Sequence, residues 1–299
     1  MSGQGCDSVQ MRHRAEILVA GLALSLGGLL IRMVENATPW QMLFYRSGFL
    51  ALGVLLYLAW RERGRLVRHL REAGLAGVLG GLCIGAAMTG FILSVTQTTV
   101  ANTLFILAAS PFVAAALGWL TIREAVHART WTTMLVAGLG IAVMVYDGVA
   151  LGHAFGLLAA LGATFGFAGM TVIMRWRRHL GLMSAVLYGS LFACAAGWFG
   201  SLGHGLAVPL ADLGWLFLYG GPVLLLGFLL YTHAGRFVPA AEVTLLSLSE
   251  VAFGPVWVWL AVNEQPTWAT LIGGTLVLAA VVAQILLGGR PRRPAAPLD

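Results

Sequence analysis

The chain predicts an all-α integral membrane protein with ten transmembrane helices in a 5+5 inverted repeat and both termini cytoplasmic. Three observations predict it. The 299 residues are 59% hydrophobic and 10% charged, with a mean hydropathy of +0.86, whereas a soluble domain carries about 25% charged residues. The arginines fall in alternate loops. The second half of the chain can be laid on the first.

A membrane-crossing helix needs about 20 apolar residues at ~1.5 Å each. Ten stretches qualify, at 15–34, 40–60, 75–95, 99–120, 131–149, 153–174, 182–203, 213–234, 239–262 and 268–287. The polar segment 1–14 leads into a first span of full length with no small-residue cleavage site, so span 1 is expected to stay as an anchor. Spans 3 and 4 are parted only by the polar run 96–99. Gly77, Gly81 and Gly85 in span 3, and Gly162 and Gly166 in span 6, recur every four residues. That spacing lets membrane helices approach closely. The expected units are a tail at 1–14, a first repeat at 15–149, a second at 150–287 and a tail at 288–299.

All 18 basic residues are arginine. Arg12 and Arg14 precede span 1. Arg61, Arg63, Arg65, Arg68 and Arg71 lie between spans 2 and 3, and Arg123 and Arg129 between spans 4 and 5. Arg175, Arg177 and Arg178 lie between spans 6 and 7, Arg236 between 8 and 9, and Arg290, Arg292 and Arg293 after span 10. Ten alternating helices put all of these on one side, which the positive-inside rule makes cytoplasmic. The opposite loops hold Glu35, Asp147, Asp212 and Glu264. The net charge of +6 and pI near 9.8 are therefore a topology signal rather than a nucleic-acid face. The run 61–71 also suits anionic lipid.

Shifting residues 91–124 by 140 lays them on 231–264. Phe91 meets Tyr231, Asn102 meets Glu242, Ser110 meets Glu250, and Glu124 meets Glu264. Five spans per half is odd, so the second half must be inverted. Inverted repeats are a transporter signature, with substrate bound near the midplane between them.

The order of short break, helix, Ser110-Pro111, helix and Glu124 resembles the EamA-type repeat of the drug/metabolite transporter superfamily. So do Pro239-Ala240-Ala241 with Glu250 and Glu264, and Tyr45-Arg46-Ser47 early in span 2. The resemblance covers residues 15–287 as two repeats. It implies a central cavity lined by spans 1, 3, 4, 6, 8 and 9, alternating access, and amino acids, other small metabolites, vitamins or drugs as substrates, often exported. Two departures stand out. Val251 follows Glu250 where the family usually has proline, with Pro255 four residues on, and span 7 lacks a counterpart of Arg46. The first bears on the gating geometry of span 9.

Glu250 sits near the centre of span 9. An intramembrane carboxylate costs a few kcal/mol or more unless paired, protonated or facing a wet cavity. It is a proton-coupling group or counter-charge, or more plainly a hydrogen bond to a neighbouring helix. Ser247 and Trp257 share its face by helical spacing, with Gly254. An indole there could stack on a ring or meet a cation. Tyr231 and Phe91 read as cavity walls or as ordinary packing. Ser110 and Thr103 read as substrate contacts or as helix-to-helix hydrogen bonds. Arg46 reads as a gate or as a structural charge that snorkels or pairs with Glu35 or Asp147. Arg32 reads as snorkelling and His233 as interfacial, with a proton relay as the alternative.

Cys6, Cys83 and Cys194 are scattered, so neither a disulfide framework nor a zinc site is expected. No cofactor, metal or catalytic residue is expected. No G-x-x-x-x-G-K-[ST] loop occurs, so the chain does not carry that ATPase motif. The leading reading is a secondary carrier of a small organic solute in a bacterial inner membrane, exporting rather than importing. Its partners are the solute, the bilayer and protons or another coupling ion, with a homodimer left open and nucleic acid excluded. The alternatives are a membrane enzyme acting on a lipid-like substrate and a non-transporting receptor. The short loops and the lack of H-E-x-x-H or paired aspartates argue against both.

Overall fold

A computed structural model describes residues 3–287, apart from 65, 124, 125, 127, 178–180, 236 and 239. Arg65, Glu124, Arg178, Arg236, Pro239, Arg290, Arg292 and Arg293 thus lie outside the described residues. Among those described there are twelve α-helices, one π turn and no strand. In order they are α1 Gly3–Arg32, α2 Pro39–Glu62, α3 Leu66–Gln97, α4 Val100–Ala108, α5 Ser110–Ile122 and α6 Ala128–Ala150. Then come α7 Ala154–Trp176, α8 Leu182–Ser201, α9 Leu210–Leu218, the π turn Tyr219–Val223, α10 Leu224–Ala234, α11 Ala240–Val262 and α12 Trp268–Leu287. They make ten stretches long and apolar enough to cross a membrane. The fourth is α4 plus α5, and the eighth is α9, the π turn and α10.

The narrow hairpin between spans 3 and 4 is real. Thr99 caps α4 by accepting the Asn102 N–H at 3.1 Å. One difference from the sequence reading lies at the arginine run. It does not form a long loop: α2 ends with Arg63 and Gly64 at positive φ, and α3 begins at Leu66. The helix then bends at Gly74 (φ 52°, ψ −151°), a conformation only glycine adopts cheaply.

Long side chains point outward as often as inward. Leu56, Leu135, Leu158 and Phe199 are each more than 60% exposed. In water such a surface would aggregate; in lipid it is the solvated face. The buried core runs through Leu43, Leu50, Val54, Ile92, Ile106 and Leu157. Helix α3 packs against α7 and α8, α2 against α8, α6 against α12, and α1 against α11 and α10. Small residues set these distances. A Cβ on Gly166 would strike the backbone of Cys83 and Ala87, and one on Gly85 the carbonyl of Gly189. Gly162 meets nothing and instead borders an apolar groove of about 620 Å³ between α3, α7 and α8.

Polar ties join loops of the same face, as alternating spans require. On the face opposite the start of α1, here the far face, Asp212 accepts the Asn36 and Ala37 N–H groups at 2.8 and 3.1 Å. Thr267 donates to Asp147 at 2.7 Å there. On the near face Gln284 links α12 to Thr130 and Thr133 of α6 at 2.9 and 2.8 Å.

Candidate functional site

Glu250 stands ten residues into α11, ~15 Å from its first residue and ~18 Å from its last by helical rise. Its side chain is half-buried, facing the interior beside Tyr219 and Tyr231. No described residue hydrogen-bonds its carboxylate. A carboxylate at this depth is costly unless it is paired, protonated or facing a wet cavity. Despite Pro255, α11 continues unbroken.

The break occurs in the other half. Pro111 has no N–H to extend the ladder, so α4 stops at Ala108 and α5 restarts at Ser110. At the break the Ala109 N–H turns back to the Ile106 and Leu107 carbonyls, and the Thr164 hydroxyl of α7 lies between the Ala160 carbonyl at 2.8 Å and the Ile106 carbonyl at 3.2 Å.

Tyr219 was not among the sequence candidates. It opens the π turn Tyr219–Val223, whose Gly-Gly-Pro sequence was the available signal. π turns put an extra residue into a helix and re-aim its side chains. A Cβ on Gly220 would collide with the Arg46 carbonyl, so this glycine lets the turn lie directly on α2. Arg46 is 2% exposed and does not snorkel. Its guanidinium meets the Tyr219 hydroxyl and the Met88 carbonyl, both at 3.4 Å, and lies 5.2 Å from the Tyr219 ring centroid. Its Nε has no partner. Neither acid that the sequence offered as a partner meets it among the described residues: Asp147 accepts from Thr267, and Glu35 lies in the far-face segment whose backbone N–H groups donate to Asp212. Arg46, Tyr219 and Glu250 thus form a file across the centre of the molecule.

The other sequence candidates divide. Tyr231 faces Ser247 and Glu250. Ser247 donates to the Thr244 carbonyl at 2.8 Å. Trp257 is tied by its indole N–H to Ser25 of α1 at 2.9 Å. Thr103 is fully buried, bonded to Ser94 at 2.7 Å and to the Thr99 carbonyl at 3.1 Å. Phe91 is buried in the core. Ser110 is half-buried at the break between α4 and α5. The structure therefore brings Tyr231 and Ser247 to Glu250, bonds Thr103 to α3 and Trp257 to α1, and packs Phe91 in the core.

Both ends of this region carry polar clusters. On the far face Arg32 does more than snorkel. It pairs with Glu264 at 2.7 Å and donates to the Thr98 carbonyl at 2.8 Å. Glu264 also accepts the Val100 N–H at the start of α4 at 2.7 Å, so α1, α4 and the end of α11 are tied together. On the near face Arg14 pairs with Glu242 at 2.7 Å, and Glu16 bridges His13 and His233.

The profile of the EamA-like transporter family matches residues 16–146 and again 154–285. The chain belongs to the EamA-like transporter family. It is therefore a multi-pass membrane transporter. The transporter is 26% identical over 285 residues to pseudopaline exporters CntI from two strains of Pseudomonas aeruginosa, PAO1 and UCBPP-PA14. Each alignment covers 89% of this chain and 93% of the relative. One solved protein structure superposes with a TM-score of 0.60 at 16% identity, covering 94% of this chain and 99% of the other. That likeness concerns the fold.

Proposed function

We propose that the transporter is a secondary carrier that exports a small organic solute from the bacterial cytoplasm by alternating access. The observation that carries this reading is Glu250: a mid-span carboxylate with no hydrogen-bond donor among the described residues, on a helix tied to α1 by an ion pair at each end. Such a carboxylate can take up and release a proton, or neutralise a cationic group on the solute. Tyr231, Ser247 and Tyr219 supply the neighbouring polar and aromatic surface. Arg46, held behind Tyr219, supplies a buried positive charge on the side of Tyr219.

Two features support alternating access through an inverted repeat. The family profile matches twice, at 16–146 and 154–285. The packing is also paired: α1 lies against α10 as α7 lies against α3, while α2–α8 and α6–α12 pair equivalent spans. Export, as against import, rests on the exporters among its relatives. At 26% identity these recommend a polar metabolite as cargo without fixing which one.

The test is efflux of radiolabelled amino acids, organic cations and vitamins from proteoliposomes. Wild type is expected to move one of these classes, and Glu250→Gln to slow it about tenfold or more at equal protein per vesicle. Equal flux and equal pH dependence in the variant would remove Glu250 from the mechanism. Solute that emerges chemically changed would return the enzyme reading, and binding without flux the receptor reading.

A further inference from the structure

His13, Glu16 and His233 converge at the near face. His13 and Glu16 sit on adjacent turns of α1, and His233 reaches them from the end of α10, 217 residues after Glu16. One carboxylate oxygen, Glu16 Oε2, faces His13 Nδ1 at 3.2 Å and His233 Nδ1 at 2.9 Å. One ligand atom from each of the three residues lies within 4.8 Å of the others. A tetrahedral ion bound at ~2.0–2.1 Å sets its ligands ~3.3 Å apart, close to the two distances from Glu16 Oε2, and the exposed His233 ring can turn to bring the imidazoles together.

The surroundings are those of a built site. The His13 ring is buried and stacked on Phe237, with centroids 4.3 Å apart and planes 12° apart, which fixes its direction. The other oxygen of Glu16 accepts from Arg12 Nε at 3.2 Å, leaving Oε2 to the two imidazoles. Such outer hydrogen bonds orient carboxylate ligands in metal sites. His233 is largely exposed, which gives an ion and a completing water their route in.

We propose that His13 Nδ1, Glu16 Oε2 and His233 Nδ1 form a binding site for a divalent transition-metal ion of the zinc class, which joins α1 to α10 at the near face. Two imidazoles and one carboxylate suit zinc and its first-row neighbours, and do not suit calcium or magnesium, which want oxygen ligands. Binding exchanges the imidazole hydrogen bonds to Glu16 for three metal bonds: a neutral ring moves its Nδ1 proton to Nε2, and a protonated ring releases one proton to solvent. By fixing α1 against α10, the ion would hold the near end closed and slow the carrier. That consequence rests on the function proposed above; the binding itself does not.

The test is titration of the purified full-length protein in detergent, its affinity tag removed, with zinc by calorimetry and with cobalt by visible absorption. Wild type is expected to bind one ion with a micromolar Kd, to give tetrahedral cobalt bands, and to melt at higher temperature with zinc. His233→Gln, at an exposed position, is expected to weaken binding tenfold or more and to abolish the zinc-dependent rise in Tm while melting normally without metal. Arg12→Gln is expected to retain one-to-one binding. Absence of one-to-one binding in wild type, or equal binding by His233→Gln and Glu16→Gln, would overturn the site. Because no solute is involved, a failed flux assay leaves this result untouched.

Discussion

At the residue scale, Arg46 and Tyr219 show how a membrane interior holds a charge. The guanidinium is buried with two long hydrogen bonds, a ring beside it and an unpartnered Nε. Losing one acceptor of a buried charge costs about 1–3 kcal/mol. Tyr219→Phe keeps the ring and removes only the hydroxyl. It is expected to lower Tm by several degrees in detergent, measured by intrinsic fluorescence on heating, and to reduce transport by displacing Arg46. Glu250 was legible in the sequence because a carboxylate deep in an apolar run is conspicuous against hydropathy alone. Tyr219 was not, because its role depends on a π turn and on Gly220 allowing contact with α2. Trp257 was placed beside Glu250 and Thr103 was left between a substrate contact and a hydrogen bond, since helical spacing gives the face of a residue. It does not give the partner across from it.

At the element scale, the far-face tie among α1, α4 and α11 is a removable clamp. Arg32 and Glu264 are both mostly buried, at 27% and 18% side-chain exposure. A double-mutant cycle with Arg32→Gln and Glu264→Gln is expected to give a coupling energy of about 1–2 kcal/mol. It is measured from thermal unfolding of the four proteins in detergent. A coupling near zero would show that the two ends are held independently. The glycine spacing in α7 gives a sharper contrast. Gly166→Ala places a methyl group against the backbone of α3 and is expected to destabilise by about 1–3 kcal/mol. Gly162→Ala, one turn earlier, meets open space and is expected to stabilise by about 0.5–1 kcal/mol through helix propensity. Both residues fit the same every-fourth pattern, so the sequence could not tell them apart. Only the neighbouring helix distinguishes them.

At the scale of the whole molecule, the arrangement of faces makes a topological claim. Ten crossings would place α1's start and α12's end on one side, and we propose from the arginine placement that this side is cytoplasmic. A fluorescent protein fused after Asp299 is expected to fluoresce. A reporter active only outside the cytoplasm, inserted at Gly203, is expected to be active. The reverse pattern would overturn the assigned orientation.

What the sequence determined by itself was the class, the ten crossings and the location of the one deeply placed acid. Hydropathy and arginine placement act along the chain, and each residue's cost in lipid is nearly independent of its neighbours. What only the tertiary structure decided was which polar groups meet. Arg32 with Glu264, Arg46 with Tyr219 and His13 with His233 are pairs far apart in the chain, on helices whose rotation and depth are set by packing. In an interior without water, each polar group takes the partner that packing brings within reach, and no local pattern records that choice.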